Sequence, residues 1–263
     1  MSVVQPVFRI ARQFWQAALD LLYPRVCQGC AAPLAADVPR QGQAAWFCAG
    51  CCGQLTQVQA PYCCVCGEPY DGAMTEAFVC KNCVGRRIAF DYAVSGYKAE
   101  GPLREMILHY KYGRDLSLRA GLADMLQTAL ADPRLAAEDL TQWLLVPVPL
   151  HFTRQYWRGF NQSWELCRML SKETGIPAAQ ILRRSAKTRS QTRLHRKKRL
   201  QNLKRAFSLR RSMPWRRLPV LKGRKILLVD DVLTTGATAH ECAKVLKQEA
   251  GVEKVVVITV ARG

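Results

Sequence analysis

The segment from Lys225 to Thr238 sets two adjacent carboxylates, three threonine hydroxyls and one glycine between an apolar run and a helical one. Ile226 to Val229 reads as a buried parallel strand. Asp230 and Asp231 follow at its carboxyl end, and a short loop closes with Thr234, Thr235, Gly236, Ala237 and Thr238. Ala239 to Gln248 carries helical periodicity, and Gly251 stands where a helix stops. This order builds an anion site. Backbone N–H groups of residues 235–238 open a helix whose dipole favours negative charge, and the hydroxyls add donors. Gly236 allows a left-handed turn. The two acids do not hold a phosphate, but they suit sugar hydroxyls beside one, as an acidic residue reads a ribose in dinucleotide folds. The predicted ligand is a phosphorylated ribose.

The cysteines carry a second chemistry. Ten of the 12 lie between 27 and 83, and eight form Cys-x-x-Cys pairs: Cys27/Cys30, Cys48/Cys51, Cys63/Cys66 and Cys80/Cys83. Each pair presents two thiolates from one tight turn, and two such knuckles complete a tetrahedral zinc shell. Sequential pairing gives one site from Cys27, Cys30, Cys48 and Cys51 and another from Cys63, Cys66, Cys80 and Cys83. An interleaved pairing fits the spacing too, and Cys52 and Cys64 stand close enough to replace a neighbour. Gly29, Gly50 and Gly67 suit knuckle geometry. With no secretory signal, one or two structural zinc ions are expected rather than a disulfide framework. Cys167 and Cys242 read as small buried residues on helices.

Several further elements must position these groups. Phe90 to Tyr97 alternates as a strand, Pro102 to Tyr112 and Leu116 to Leu130 read as helices, and Trp143 to Val148 is a second buried strand. Lys111 and Arg114 sit beside tyrosines at the first helix's end, a phosphate-facing corner. Residues 154–162 form a cationic loop into a helix over Ser163 to Glu173, which makes a second anion site in which Arg158 leads and Arg154 follows. His151 reads as structural or exposed.

The charge is lopsided: 39 Lys and Arg against 20 acids, a formal +19. That balance calls for a polyanionic partner or phosphate-rich ligands. Residues 183–225 hold 18 of the cations and no acid. Arg193, Arg196, Lys197, Lys198 and Arg199 are the centre of this basic arm. Two roles fit it: a lid that excludes water from a ligand, or a track for a nucleic-acid backbone. Val3 to Tyr23 is amphipathic rather than a signal peptide, as for a helix docked on its own domain or, alternatively, one lying on a membrane surface. No apolar run is long enough for a transmembrane helix. The expected organisation is an amphipathic helix over 1–25, a cysteine-rich zinc-ribbon module over 26–88, and an α/β domain over 89–263.

The strand, the acid pair and Thr-Thr-Gly-x-Thr resemble the phosphoribosyl pyrophosphate (PRPP) motif of type I phosphoribosyltransferases. That resemblance implies a parallel sheet with helices on both faces. It places Asp230 and Asp231 on the ribose 2′- and 3′-hydroxyls and residues 234–238 around the 5′-phosphate. Mg²⁺ would accompany PRPP, and Lys111, Arg154 and Arg158 would meet the pyrophosphate. Together with the cysteine knuckles, Leu-His-Tyr-Lys-Tyr-Gly-Arg (108–114), Val-Pro-Val-Pro-Leu (146–150), Arg-Gly-Phe-Asn-Gln (158–162), Gln191-Thr192 and Arg199-x-x-Asn202, the chain resembles the ComF/GntX family along nearly its whole length. Members of that family are cytoplasmic bacterial proteins linked to natural competence, DNA uptake and the use of external DNA. The resemblance implies PRPP as ligand, single-stranded DNA as partner, and contact with DNA-import or recombination proteins. It leaves two outcomes open: a phosphoribosyltransferase of unassigned acceptor, or a single-stranded-DNA-binding accessory protein that senses PRPP.

Overall fold

The computed structural model describes residues 24–184 and 206–263, apart from 36, 40–41, 71, 73–77 and 212–217. The amphipathic N-terminal segment and most of the basic arm, with Arg193, Arg196, Lys197, Lys198 and Arg199, lie outside the described residues. The strands are β1 (Tyr92–Lys98), β2 (Leu144–Pro147), β3 (Leu182–Arg184), β4 (Phe207–Leu209), β5 (Lys225–Leu233) and β6 (Lys254–Arg262). The main helices are α1 (Gly101–Leu108), α2 (Arg119–Leu130), α3 (Phe152–Arg158), α4 (Gln162–Thr174) and α5 (Ala237–Ala250).

Four strands make one parallel sheet in the order β1-β6-β5-β2, with Val146 opposite Leu228 and Leu228 opposite Val257. Its centre is aliphatic on both faces because helices cover both. On one face Met106, Leu122, Leu126, Leu166 and Leu170 pack on Leu145, Leu227, Val229 and Ile258. On the other, Cys242, Ala243 and Leu246 of α5 pack on Ile226, Leu228 and Val257, extended by the antiparallel pair β3-β4. Each large aliphatic side chain so buried contributes about 1.5–3 kcal/mol. Cys167 and Cys242 are fully buried, one on each face.

Three boundaries depart from the sequence expectation. β5 runs on to Leu233, so both acids lie inside the strand rather than after it; the neighbouring β6 extends to Arg262 and pairs alongside, Asp230 with Thr259 and Leu233 with Arg262. The helix expected to end at Tyr112 is α-helical only to Leu108. It then widens into a π-helical turn, His109–Gly113, before left-handed Arg114. Residues 154–162 are not a loop, because α3 occupies most of them. His151 starts α3 by accepting the Thr153 N–H at 3.3 Å, and left-handed Gly159 ends it. No residue of α3 is buried, so it has no apolar stripe for periodicity to reveal.

The cysteine-rich segment is built twice. In each half, a two-residue bridge (Val26 with Pro33, Tyr62 with Pro69) flanks a knuckle. The amide of the first cysteine donates across the turn, Cys27 to Ala32 at 2.7 Å and Cys63 to Glu68 at 2.8 Å. The residue after each knuckle, Ala31 or Gly67, takes the left-handed backbone. Among the described residues, no helix is long and apolar enough to cross a membrane.

Candidate anion site and metal centres

Asp230 and Asp231 stand near the carboxyl end of β5, where ligands of parallel α/β sheets collect. Their partners come from three other places in the chain. Lys111, on the π-helical turn, puts its Nζ 2.8 Å from Asp231 Oδ1. Ser163, in the first turn of α4, donates its hydroxyl to Asp230 Oδ1 at 2.9 Å, and the Asp231 amide donates to the same oxygen at 3.0 Å. Asn161 caps α4 through the Ser163 N–H and also holds the Val148 carbonyl after β2, which fixes that helix start to the strand beside β5. Pro147 and Pro149 flank that turn and constrain the strand end.

The electrostatics are those of a strained acidic pair. Burial and the neighbouring Asp231 carboxylate push Asp230 up to about 7, against Lys111, Ser163 and the Asp231 amide. Burial works against the Lys111 charge, but Asp231 and Asp230 outweigh it and raise its pKa. Arg158 is lowered by burial, with Arg154 adding to the effect and Asp231 and Tyr112 opposing it. Arg154, Arg158 and Lys111 therefore share one field with the two acids. Arg184, at the end of β3, joins this field, its own pKa lowered first by burial and then by Arg154.

The loop after β5 has the local geometry expected of it. Gly236 is left-handed at φ 70°, a conformation that costs any residue with a Cβ, and it directly precedes α5. Thr235 Oγ1 accepts the Ala237 N–H at 3.4 Å, and the His240 N–H closes the first turn on the Gly236 carbonyl at 2.8 Å. Thr234 is exposed and Thr235 and Thr238 are partly so, while Ala237 is buried. The open first turn of α5 thus stands directly beyond the acids.

An aromatic and cationic surface adjoins the cluster. Tyr112, Phe152, Tyr156 and Trp157 are exposed, Tyr156 at 91%. Arg114 lies over the Trp157 ring at 4.9 Å, and Arg158 over Tyr112 at 5.2 Å. Large exposed rings laid against guanidinium groups mark a binding surface more than a packing one. The sequence pointed to Lys111 and Arg114 beside tyrosines but missed the second half, because Phe152, Tyr156 and Trp157 sit on the unexpected α3. Ser163 was also missed, since nothing in the sequence singles out one serine at a helix start. His151, expected to be structural or exposed, is buried and caps α3.

The cysteines assemble sequentially, and the interleaved pairing is ruled out. Sγ atoms of Cys27, Cys30, Cys48 and Cys51 lie within 4.8 Å of one another, as do those of Cys63, Cys66, Cys80 and Cys83. Cys30 and Cys48 sulfurs are 3.7 Å apart, Cys66 and Cys80 sulfurs 3.6 Å. A tetrahedron with metal–sulfur bonds near 2.3 Å spaces its sulfurs about 3.8 Å apart. Burial raises Cys27, but the amides of Cys48, Gly29 and Cys30 bring it down to about 6. Cys63 is brought to about 7 against burial by the amides of Cys80, Cys66 and Val65. Both sets fit a structural zinc ion, with sulfur at all four corners and no place for water. Cys52 and Cys64 belong to neither set; the Cys52 thiol lies 3.5 Å from the Phe47 carbonyl.

Comparison with known proteins agrees with this arrangement. Residues 18–84 match a double zinc ribbon domain, and residues 162–263 match a phosphoribosyl transferase domain. The chain is 34% identical over 221 residues to competence protein F of Haemophilus influenzae, covering 82% of this chain and 90% of that protein. It is 32% identical over 228 residues to the DNA utilization protein YhgH of Salmonella typhimurium, covering 86% and 92%. It is 24% identical over 221 residues to competence protein ComFC of Bacillus subtilis, covering 82% and 83%.

Proposed function

Because the chain belongs to the family of competence protein F and the DNA utilization proteins, we propose that it binds PRPP at the end of β5 and serves DNA uptake or utilisation in the cytoplasm. The observation that carries this reading is the pairing of two adjacent acids with cations from separate elements, set before the first turn of α5. Asp230 and Asp231 take the ribose hydroxyls, and residues 234–238 take the 5′-phosphate. Arg158 and Arg154 face the pyrophosphate, with Lys111 shared between it and Asp231. Mg²⁺ would accompany PRPP and supply positive charge beside Lys111, Arg154 and Arg158, since it is usually bound through substrate phosphates with few protein ligands. As a transferase, the protein would act by holding the sugar and screening the departing charge, a task of position and field. Two zinc ions hold the cysteine-rich module.

Calorimetry with PRPP and Mg²⁺ tests this. The wild type is expected to give a saturable heat, and Asp230→Ala/Asp231→Ala to bind at least about tenfold more weakly, through loss of charge-assisted hydrogen bonds. No heat for the wild type, or equal affinity in the double variant, overturns it. Incubating labelled PRPP with a cell extract and the protein separates enzyme from sensor by whether a ribosylated product forms.

A second role is favoured by the surface of Tyr112, Phe152, Tyr156 and Trp157 with Arg114 and Arg158. Exposed rings beside cations stack the bases of single-stranded DNA while the guanidinium groups follow its backbone. Fluorescence anisotropy with labelled single strands is expected to fall steeply as salt rises. Trp157→Ala is expected to weaken binding about 10–100-fold, the value of stacking one base. A flat salt response or unchanged binding removes this role.

A further inference from the structure

We propose that Arg262 is a positioning residue that ties the phosphate loop to the second cysteine cluster, so that metal at Cys63, Cys66, Cys80 and Cys83 sets how firmly that loop is held. The inference rests on the PRPP reading for its functional consequence, though not for its geometry.

Arg262 closes β6, the strand between β1 and β5, and its side chain is only 4% exposed. A guanidinium carries five N–H donors and no acceptor, and burying it is costly unless every donor is used. Here all five have acceptors. Nε donates to the Cys66 carbonyl at 3.2 Å. Nη1 donates to the Leu233 carbonyl at 2.9 Å and to the Gly263 carbonyl. Nη2 points at Cys66 Sγ at 3.8 Å and pairs with Glu68. Leu233 is the last residue of β5, directly before Thr234, and its carbonyl also accepts the Gly263 N–H at 2.9 Å. One side chain therefore grips a metal-ligand residue at one end and the root of the phosphate loop at the other.

A second strap runs from the same cluster. Downstream of Cys83, the Ala89 N–H donates to His240 Nδ1 at 3.0 Å, and a Cβ on Gly236 would lie 3.6 Å from the Phe90 ring. The first cluster is joined elsewhere: its half of the module meets Tyr97, Pro102 and Asp124.

Charge explains why metal matters. Four thiolates around one Zn²⁺ carry a net charge of about −2, a fit partner for a buried guanidinium. Without the ion nothing ties the four sulfurs together, and the cluster loosens. Arg262 then keeps Glu68 but loses the fixed sulfur and the Cys66 carbonyl, and its hold on Leu233 slackens.

The experiment compares Arg262→Gln, Arg262→Lys, Cys83→Ser and Cys30→Ser with the wild type in three readouts. These are metal content by plasma mass spectrometry, amide hydrogen exchange over residues 233–238 without PRPP, and calorimetry with PRPP and Mg²⁺. Both Arg262 variants are expected to keep two ions, to exchange at least about tenfold faster in the loop, and to bind PRPP about 10–100-fold more weakly, as for other groups that orient a site from behind. Cys83→Ser is expected to lose one ion and match them. Cys30→Ser is expected to lose one ion and leave the loop as in the wild type. Wild-type loop protection in Arg262→Lys, or equal loop loosening in Cys30→Ser and Cys83→Ser, overturns the proposal. If Arg262→Gln does not fold, the lysine and cysteine variants still decide. If the wild type gives no PRPP heat, the PRPP reading fails while hydrogen exchange continues to judge the tie.

Discussion

The two cysteine clusters share a ligand set and a backbone plan, yet a different kind of contact dominates where each is fastened to the rest of the protein. The first half of the module docks mainly by packing, with hydrogen bonds from Gln43 to Tyr97 and from Trp46 to Asp124 at its margin. Phe47 is buried in the core shared with α1 and α2, and the Trp46 ring lies so near Gly121 that a Cβ there would come within 2.6 Å of it. The second half docks by directed polar contacts. Arg134 reaches the Cys64 carbonyl at 3.0 Å, Tyr62 donates to Asp132 at 2.8 Å, and Arg262 holds Cys66. Apolar burial is strong but non-directional, whereas hydrogen bonds contribute little each and fix geometry. The packed half is suited to holding the module on. The hydrogen-bonded half, beside the loop of residues 234–238, is suited to holding atoms in place.

Metal removal gives the largest expected effect. Structural zinc in small knuckled domains contributes about 10–16 kcal/mol of folding free energy. A chelator is therefore expected to unfold the cysteine-rich segment while the parallel sheet, with its own two-faced core, stays folded. Far-ultraviolet circular dichroism and limited proteolysis read this directly, and survival of the module without metal would break the comparison at its root. Trp46→Ala comes next. Removing a large ring from a partly buried site costs about 3 kcal/mol. Chemical denaturation is expected to record that loss, and PRPP calorimetry no change. A parallel loss of PRPP affinity would mean that the packed dock also positions the loop.

What could be read in the sequence followed from how local the signal was. The cysteine spacing and the Asp230–Thr238 run are local, and the structure places each within one knuckle pair or one strand–loop–helix unit. The parallel sheet was legible because its central strands are aliphatic on both faces, as with Ile226 to Val229. Knuckle pairing was not, since both arrangements fit the spacing and only the fold brings Cys30 to Cys48. The Ser163 hydroxyl on Asp230, the Arg114 guanidinium over Trp157, and the links of Arg262 to Cys66 and Leu233 join residues far apart in the chain. Composition and periodicity carry no record of such contacts, and α3 in particular shows no apolar stripe because none of its residues is buried.

Asp230 tests the contrast from the side of the acid pair, where among the described residues it makes no ion pair of its own. Its folded pKa is raised to about 7 from an ordinary 3.8, first by burial and then by Asp231. The folded protein thus binds a proton that the unfolded chain has released, so stability falls as pH rises from about 4 to about 7 and stays lowered above that. Asp230→Asn removes the effect. The variant is expected to be more stable than the wild type by about 1–2 kcal/mol at pH 8, allowing for solvent screening. The gap should vanish near pH 4 in denaturation curves taken across that range. Equal stability at pH 8 would show that the acid pair is not held under strain.

Tyr62→Phe makes the smallest change and sharpens the comparison most. It deletes one hydroxyl from the polar dock and leaves the ring over Arg134. Asp132 keeps both bonds from the Arg134 guanidinium, at 2.8 and 2.9 Å, so no buried acceptor is stranded. The expected cost is about 1 kcal/mol, the net worth of one hydrogen bond. Burial acts to raise the Asp132 carboxyl, but Arg134 and Tyr62 outweigh it and hold the group below its ordinary value. A depressed pKa of this kind contributes stability above about pH 4 and loses it as pH falls further. The difference between variant and wild type is therefore expected to stay constant from pH 5 to pH 8, while the Asp230 effect goes on changing up to about pH 7. Thermal denaturation at four or five pH values separates the two. A Tyr62→Phe cost as large as that of Trp46→Ala would mean the second dock is held by bulk as much as by direction, and the contrast between the two halves would fail.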